Sequence, residues 1–248
     1  MIYFLSDIHL GAAYITDRRA HEQRVVSFLD HIADDATELY LLGDILDYWF
    51  EYRYVVPRGY IRFFAALARL ADAGVKITWL TGNHDVWLRD YLRDEIGLNV
   101  LYGKTVVNIL GSKFLISHGD DAGHQPTLYR FTRAMFYSRF NQWLYAAIHP
   151  RWTAPIALGW SKQNRTARDP DKVRQRIEQC AENLIKFSLQ SLKSEPDLKY
   201  FVFGHLHLAR LTQLDSGQTV VFLGDWINQN TYATFDGQQL LLKKWEKG

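Results

Sequence analysis

Short apolar runs followed by polar residues recur along the first part of the chain. Residues 2–6, 39–42 and 75–80 form such runs and predict three buried strands. Apolar positions with helical spacing between them predict two helices, one over Arg18–Ile32 and one that begins near Pro57. The alternation of strands and helices favours an α/β fold with parallel strands and helical cover.

Strand patterns return in two later parts of the chain. Residues 105–110 and 113–117, separated by a Gly-containing turn, predict a hairpin. Residues 200–245 predict five more strands, which we expect to be antiparallel because turn residues separate them. All of these strands fit two sheets that pack face to face with helices outside.

The segment between the hairpin and the last strands has a different character. Residues 127–148 have helical spacing and many aromatic side chains, and residues 171–192 predict a second long helix. We therefore expect residues 1–120 and 170–248 to form a core. Residues 121–169 are expected to form a helical cap inserted over one edge of it.

Charge is unevenly distributed along the chain. The net charge is +2, but residues 120–176 contain ten basic and four acidic residues. This block therefore carries +6 and the remainder −4. Such a block indicates an anionic partner, although a solvated basic face would have the same composition.

Composition also predicts where the protein works. Cys180 is the single cysteine, so no disulfide framework exists and a reducing compartment is expected. The first residues lack the basic and long apolar regions of a signal peptide, and no apolar run reaches the roughly 18 residues that span a bilayer. We expect a cytoplasmic protein that can contact a membrane surface.

Polar side chains of a few types follow the predicted strands. They are Asp7 and His9, Asp44, Asn83, His84 and Asp85, His118 and Asp120, and His205 and His207. The carboxyl ends of parallel strands meet at one edge of a sheet, so these side chains are expected to lie together. Each motif alone is more often a surface turn, but the whole set is typical of a two-metal site.

The predicted ligands divide into two sets that share one carboxylate. Asp44 is the expected bridge, since a carboxylate has two oxygens. We assign Asp7, His9, Asp44 and His207 to one cation, and Asp44, Asn83, His118 and His205 to the other. Mn²⁺ is the expected metal, with Fe and Zn as alternatives.

Other polar residues near these motifs are given supporting roles. His84 is expected to donate a proton to the leaving oxygen or to stabilise transition-state charge. Asp47 and Asp85 are expected to orient metal ligands. His21 and His31, on the first predicted helix, are expected to face solvent.

Taken in order, these motifs resemble those of the calcineurin-like metallophosphoesterase family. They are Asp-x-His at 7–9, Gly-Asp at 43–44, Gly-Asn-His-Asp at 82–85, His-Gly at 118–119 and Gly-His-x-His at 204–207. The resemblance covers nearly the whole chain. It implies a four-layer αββα sandwich of two mixed sheets, a dimetal centre that often holds Mn, and hydrolysis of a phosphoester or phosphoanhydride.

Within that family the chain is similar to the UDP-2,3-diacylglucosamine hydrolases of lipid A synthesis. The similarity lies in size and in the helical insertion between His118 and Gly204. It implies peripheral membrane attachment, a cap that holds two acyl chains, and cleavage of the pyrophosphate to UMP and 2,3-diacylglucosamine 1-phosphate. The implied substrate contacts are Asn83, His84, Asp120, Ser161, Asn164, Arg165 and His205.

The chain departs from that subgroup in two places. It carries His84 where the subgroup carries Arg, and residues 121–124 differ from the subgroup's Cys-containing segment. A different nucleotide or phosphoester substrate therefore stays open as an alternative.

Two further functions are weighed. A metal-free protein-binding scaffold would have lost ligands, whereas all seven are present. Nucleic-acid cleavage is disfavoured, and no nucleic-acid partner is expected, because no second DNA-binding domain accompanies the basic residues.

Overall fold

The computed structural model describes residues 1–123, 127–153 and 169–246, together with positions 155 and 159. The strands are β1 (Ile2–Leu5), β2 (Glu38–Leu42), β3 (Lys76–Leu80), β4 (Asn99–Leu101), β5 (Thr105–Ile109), β6 (Ser112–Ser117), β7 (Leu198–Phe203), β8 (Ala209–Gln213), β9 (Thr219–Leu223), β10 (Thr231–Phe235) and β11 (Leu240–Lys244). The helices are α1 (Arg18–Ile32), α2 (Ile61–Asp72), α3 (Tyr91–Ile96), α4 (Thr127–Tyr137), α5 (Arg139–Ala146) and α6 (Pro170–Ser191).

The strands form two mixed sheets, as predicted. The first has the order β11-β10-β1-β2-β3-β4, in which β1 to β4 are parallel and β10 and β11 are antiparallel. The second has the order β5-β6-β7-β9-β8, in which β6, β7 and β9 are parallel. The edge strands β5 and β8 run antiparallel to their neighbours.

The expectation that all strands after residue 200 are antiparallel is wrong for β7. This strand is parallel to both β6 and β9. An antiparallel neighbour can follow through a short turn, whereas a parallel neighbour needs a long crossover. The cap region and α6 supply that crossover between β6 and β7, and turn residues alone do not reveal strand direction.

The two sheets pack against each other through one face and against helices through the other. On β1, Ile2 and Phe4 face the second sheet, where the Phe4 ring stacks on Phe114 with centroids 5.8 Å apart. Tyr3 and Leu5 join the cluster formed with α1 and α2. Helix α6 covers the outer face of the second sheet. These layers make the predicted αββα sandwich.

Helix α1 shows how the sequence builds one of these layers. Asp17 caps its first turn by accepting the Ala20 N–H at 2.8 Å. Val25, Phe28 and Ile32 lie on its buried face, and each such side chain contributes about 1.5–3 kcal/mol relative to its exposed state. His21 is buried on the same face, so the expectation that it faces solvent is wrong, whereas His31 is exposed as expected.

Several short elements differ from the predicted pattern. Helix α2 begins at Ile61 rather than near Pro57, because Gly59 and Tyr60 both have positive φ. Helix α3 has six residues and strand β4 has three, and the sequence pattern does not predict elements this short. The first cap helix is divided into α4 and α5 at Ser138, whose hydroxyl accepts the Asn141 N–H at 3.4 Å.

The cap helices α4 and α5 lie between β6 and α6 in the chain, and their inner side chains pack on an aromatic cluster of the core. The boundary of the cap at residues 121–169 stays a prediction. Among the described helices, none combines the length and the apolar character that crossing a bilayer requires.

Candidate metal centre

The predicted ligands lie where β1, β2, β3, β6 and β7 end. Five of them have a left-handed backbone: Asp7 (φ 54°), His9 (51°), Asp44 (53°), His205 (68°) and His207 (50°). Such a conformation costs a non-glycine residue about 1–3 kcal/mol and persists only where surrounding contacts enforce it. The concentration of strain at these positions indicates a functional site.

One group of candidate ligand atoms surrounds Asp7. The ligating atoms of Asp7, His9 and His207 lie within 4.8 Å of one another. Asp7 Oδ1 lies 3.4 Å from His207 Nε2 and 3.8 Å from His9 Nε2. His9 Nε2 also lies 3.6 Å from Asp44 Oδ2, which brings the second carboxylate to this group.

A second group lies on the other side of Asp44. Asp44 Oδ1 is 3.4 Å from His118 Nε2. That nitrogen is also 3.3 Å from Asn83 Oδ1 and 3.3 Å from His205 Nδ1. Because each Asp44 oxygen faces a different group, the carboxylate lies where a bridging ligand would be needed.

The spacing of the atoms within each group suits ligands around a bound cation. Asp7 Oδ1 is buried, and among the described residues it has no hydrogen-bond partner. A transition metal with bonds of about 2.0–2.2 Å separates neighbouring ligand atoms by about 3–3.5 Å, close to the distances found here. Imidazole and carboxylate together are a donor set that such metals favour.

The remaining nitrogens of three histidines face acceptors behind the centre. His9 Nδ1 lies 3.1 Å from Asp47 Oδ1, and His118 Nδ1 lies 2.9 Å from the Leu42 carbonyl. His207 Nδ1 lies 3.6 Å from Asp225 Oδ2. Acceptors of this kind fix the tautomer that leaves Nε2 available to a metal. Asp47 thus has its predicted position behind a ligand.

The second carboxylate oxygen of Asp7, Oδ2, is held in place by two hydrogen bonds. Oδ2 accepts the Ser6 hydroxyl at 2.5 Å and the His205 N–H at 2.8 Å. Any side chain at Gly204 would overlap Ser6 Oγ, so the close approach of β7 to this loop requires glycine. The arrangement leaves Oδ1 directed at the histidines.

The electrostatics of the centre favour an ionised Asp7 and a neutral His205, whereas the pKa of His118, which burial alone would lower, is raised well above its usual range by Asp44. Burial alone would raise the pKa of Asp7, but His207 and His9 hold it below its usual range. Burial lowers the pKa of His205 to about 4, and neighbouring His118 adds to the effect. A neutral imidazole beside ionised carboxylates is the form that binds a cation.

His84 lies beside the centre, with its side chain 23% exposed. Its Nδ1 lies 2.9 Å from the Asp47 carbonyl, which can only accept, so Nδ1 carries a hydrogen. Nε2 then faces the centre, 3.9 Å from Asp44 Oδ2. The backbone N–H of His84 donates to Asp44 Oδ1 at 2.9 Å, which ties the residue to the bridging candidate.

Asp120 stays a predicted substrate contact, and in the structure its carboxylate joins the end of β6 to helix α4. It is buried, and its carboxylate accepts Arg133 Nε–H at 3.0 Å and the Tyr129 hydroxyl at 3.4 Å. A cavity of about 320 Å³ adjoins this pair, lined also by Asp121 and Arg130. The other predicted substrate contacts, Ser161, Asn164 and Arg165, lie outside the described residues.

His21 was missed as a residue of this region. Its Nε2 lies 2.8 Å from the Ile8 carbonyl, between two candidate ligands. The signal was present in the sequence, because residues 21, 25, 28 and 32 follow helical spacing and place His21 on the apolar face of α1.

The model of the calcineurin-like phosphoesterase family matches residues 1–209. The chain therefore belongs to this family, and it is a metal-dependent hydrolase of phosphoric esters. It is 39% identical over 255 residues to a UDP-2,3-diacylglucosamine hydrolase of Porphyromonas gingivalis, covering 99% of this chain and 97% of that protein. A protein of the same name from Shewanella putrefaciens is 28% identical, with 97% and 95% covered.

Among solved structures, an archaeal phosphodiesterase has a TM-score of 0.49 at 12% identity, with 98% of each chain covered. A dimetal phosphatase of Danio rerio has a TM-score of 0.45 at 13% identity, covering 98% of this chain and 94% of that one.

Proposed function

We propose that this protein hydrolyses the pyrophosphate of UDP-2,3-diacylglucosamine to UMP and 2,3-diacylglucosamine 1-phosphate. The observation that carries the proposal is the set of donor groups around Asp44, with Asp7, His9 and His207 on one side, His118 and His205 on the other, and His84 close to His9 and Asp44. Similarity to the Porphyromonas gingivalis enzyme over nearly the full length of both chains supports this substrate.

The proposed ligands are those predicted from the strand ends. Asp7, His9, Asp44 and His207 would hold one cation, and Asp44, Asn83, His118 and His205 the other. When bound, two divalent cations supply an activated water and neutralise charge on the phosphoryl group. Mn²⁺ is the proposed metal because both imidazole and oxygen donors are present.

His84 has the proposed role of proton donor or charge stabiliser at the leaving oxygen. The Asp47 carbonyl fixes Nδ1–H, so the Nε2 edge is the part of the ring that can meet substrate. Asn83 and His205 would contact the same phosphoryl region. Ser161, Asn164 and Arg165 remain proposed substrate contacts from the returning end of the cap.

The outer surface of the cap supports a lipid substrate. Phe131, Phe140, Trp143 and Trp152 are each at least 65% exposed. The Phe140 and Trp143 rings lie close together, with centroids 6.1 Å apart, and neighbouring exposed apolar side chains mark interaction sites. With the basic residues of the same segment, they suit acyl chains and the anionic surface of a membrane. We therefore propose peripheral attachment to the cytoplasmic face of the inner membrane.

The test is release of UMP from UDP-2,3-diacylglucosamine in detergent micelles, with Mn²⁺ and after chelation. Metal-dependent UMP release is expected, and Asp44→Ala serves as the matched inactive control. Absence of UMP release from the metal-loaded protein would overturn the proposed substrate.

A second candidate is hydrolysis of another nucleotide or phosphoester at the same centre. It is favoured by His84, which stands where the similar subgroup carries Arg and supplies a different group to the substrate. Metal-dependent cleavage of a generic aryl phosphodiester without UMP release would support this candidate.

A further inference from the structure

The segment Asp7-Ile8-His9 is strained on both sides of its central residue. Asp7 has φ 54° and His9 has φ 51°, so two of three successive residues are left-handed. Both belong to the candidate ligand group that also contains His207. The direction of their side chains depends on the contacts that hold this backbone in place.

Each carbonyl of the segment has a hydrogen-bond donor. The Trp226 N–H donates to the Asp7 carbonyl at 3.1 Å, and the Ala12 N–H donates to the His9 carbonyl at 3.1 Å. The Ile8 carbonyl differs, because its donor is a side chain from another layer. His21 Nε2, on α1, lies 2.8 Å from it.

We infer that His21 is a positioning residue, which holds the Ile8 carbonyl and thereby directs Asp7 and His9 into the metal centre. This inference rests on the proposed two-cation function. Because the carbonyl can only accept, Nε2 carries the hydrogen. His21 is 4% exposed, so water cannot replace the donor without opening the packing of α1.

The protonation state of His21 agrees with this role. Burial lowers the pKa of His21, and the hydrogen bond to the Ile8 carbonyl only partly offsets this effect. A neutral ring close to the start of α1 also avoids placing positive charge at the positive end of the helix. Residue 21 therefore acts as a neutral donor, a role that a glutamine amide can reproduce.

The test compares Mn²⁺ affinity of the apoprotein among variants of α1, measured by isothermal titration calorimetry. His21→Leu fills the site but removes the donor, and we expect affinity for Mn²⁺ to fall about 10–100-fold, the usual cost of losing a residue behind a ligand. His21→Gln restores an N–H donor and should retain most of the affinity. His21→Asn has the same amide on a shorter side chain and should not.

Kinetics on bis(p-nitrophenyl) phosphate provide a second readout. For His21→Leu we expect the Mn²⁺ concentration needed for half-maximal rate to rise, with KM at saturating Mn²⁺ unchanged. His31→Leu is the matched control. His31 lies on the same helix and is exposed, and the centroids of its ring and the Trp245 ring lie 5.0 Å apart. It should behave as wild type.

A purely structural role would lower the melting temperature of the apoprotein and leave Mn²⁺ affinity unchanged, which would overturn the inference. Equal affinities for His21→Gln and His21→Asn would also overturn it, even if His21→Leu does not fold. Wild-type protein that binds Mn²⁺ but does not release UMP would overturn only the proposed substrate. Wild-type protein that binds no Mn²⁺ would overturn both.

Discussion

The Asp85 carboxylate lies directly behind Asp44 and accepts its backbone N–H at 3.3 Å. The same carboxylate accepts the N–H groups of Gly82 at 2.7 Å and Ile45 at 2.9 Å, and Trp79 Nε1–H at 3.2 Å. One buried side chain therefore joins the loop after β2 to the loop after β3. These are the loops that carry the candidate bridge and the Asn83-His84 pair.

Replacing Asp85 with Asn should destabilise the protein. The amide offers one acceptor oxygen, and its NH₂ group would meet two of the four donors. We expect the free energy of unfolding of the apoprotein to fall by about 1–3 kcal/mol, the cost of unsatisfied buried polar groups. Urea unfolding measures this, with exposed Asp90→Asn as the control. Unchanged stability of Asp85→Asn would contradict this account of the joined loops.

Removing the metal should lower thermal stability. A cation that binds only the folded state at 100 times its Kd stabilises it by about 2.7 kcal/mol. For a chain of this size, that corresponds to a fall in Tm of about 5–10 °C on chelation. Differential scanning fluorimetry with and without EDTA checks the shift, and re-addition of Mn²⁺ should restore it.

Replacing the candidate bridge should abolish both metal binding and turnover. Asp44→Ala removes a carboxylate whose oxygens face both donor groups. We expect elemental analysis to show loss of bound metal, and its Tm should no longer respond to EDTA. Retention of two metals per chain by this variant would contradict the assigned bridge.

His84→Ala should separate chemistry from metal binding. Its ring nitrogen Nε2 lies 3.9 Å from Asp44 Oδ2, and the contact at 2.9 Å to Asp44 Oδ1 is made by its backbone N–H, which the substitution keeps. We expect both metals to remain bound while kcat falls by roughly 10²- to 10⁴-fold, the range for loss of a general acid or base. Metal content and kcat are measured on the same sample. Loss of the metals, or a near-normal rate, would show that the assigned role is wrong.

Gly82→Ala should disturb the centre by steric overlap. A methyl group at residue 82 would overlap the Asp44 carboxylate and lie 2.5 Å from the Asp44 nitrogen. Overpacking of this kind costs about 1–3 kcal/mol. We expect lower stability and weaker Mn²⁺ affinity than wild type. Gly74→Ala provides a contrast, since no atom lies within 4 Å of a methyl group there, although its φ of 90° adds backbone strain.

The arrangement of strand ends could be predicted from the sequence because each depends on local signals. The apolar runs of β1, β2 and β3 end directly before polar side chains, and helix α1 matches its predicted bounds. Parallel strands must then bring Asp7, Asp44 and Asn83 to one edge. Geometry that follows from strand direction in this way needs no knowledge of distant contacts.

Features that depend on distant partners could not be predicted in the same way. The parallel direction of β7 is set by a crossover of many residues, and the burial of Asp120 depends on Arg133 from the cap. His21 lies between these cases. Its position on the apolar face of α1 indicates burial. Its contact with the Ile8 carbonyl depends on how α1 packs on the sheet, which the sequence pattern does not show.

The pairing of β1 with β10 places Ile2 opposite Phe235, so the first strand of the chain has a neighbour near its end. During synthesis on the ribosome, β1 emerges early, and one of its edges stays unpaired until β10 has been synthesised. Contacts so distant in sequence form late and slowly. The left-handed backbone at Asp7 and His9 also depends on the Trp226 N–H, which donates to the Asp7 carbonyl. The metal centre therefore cannot form until Trp226 and β10 are available, so cation loading has to follow the synthesis of these residues.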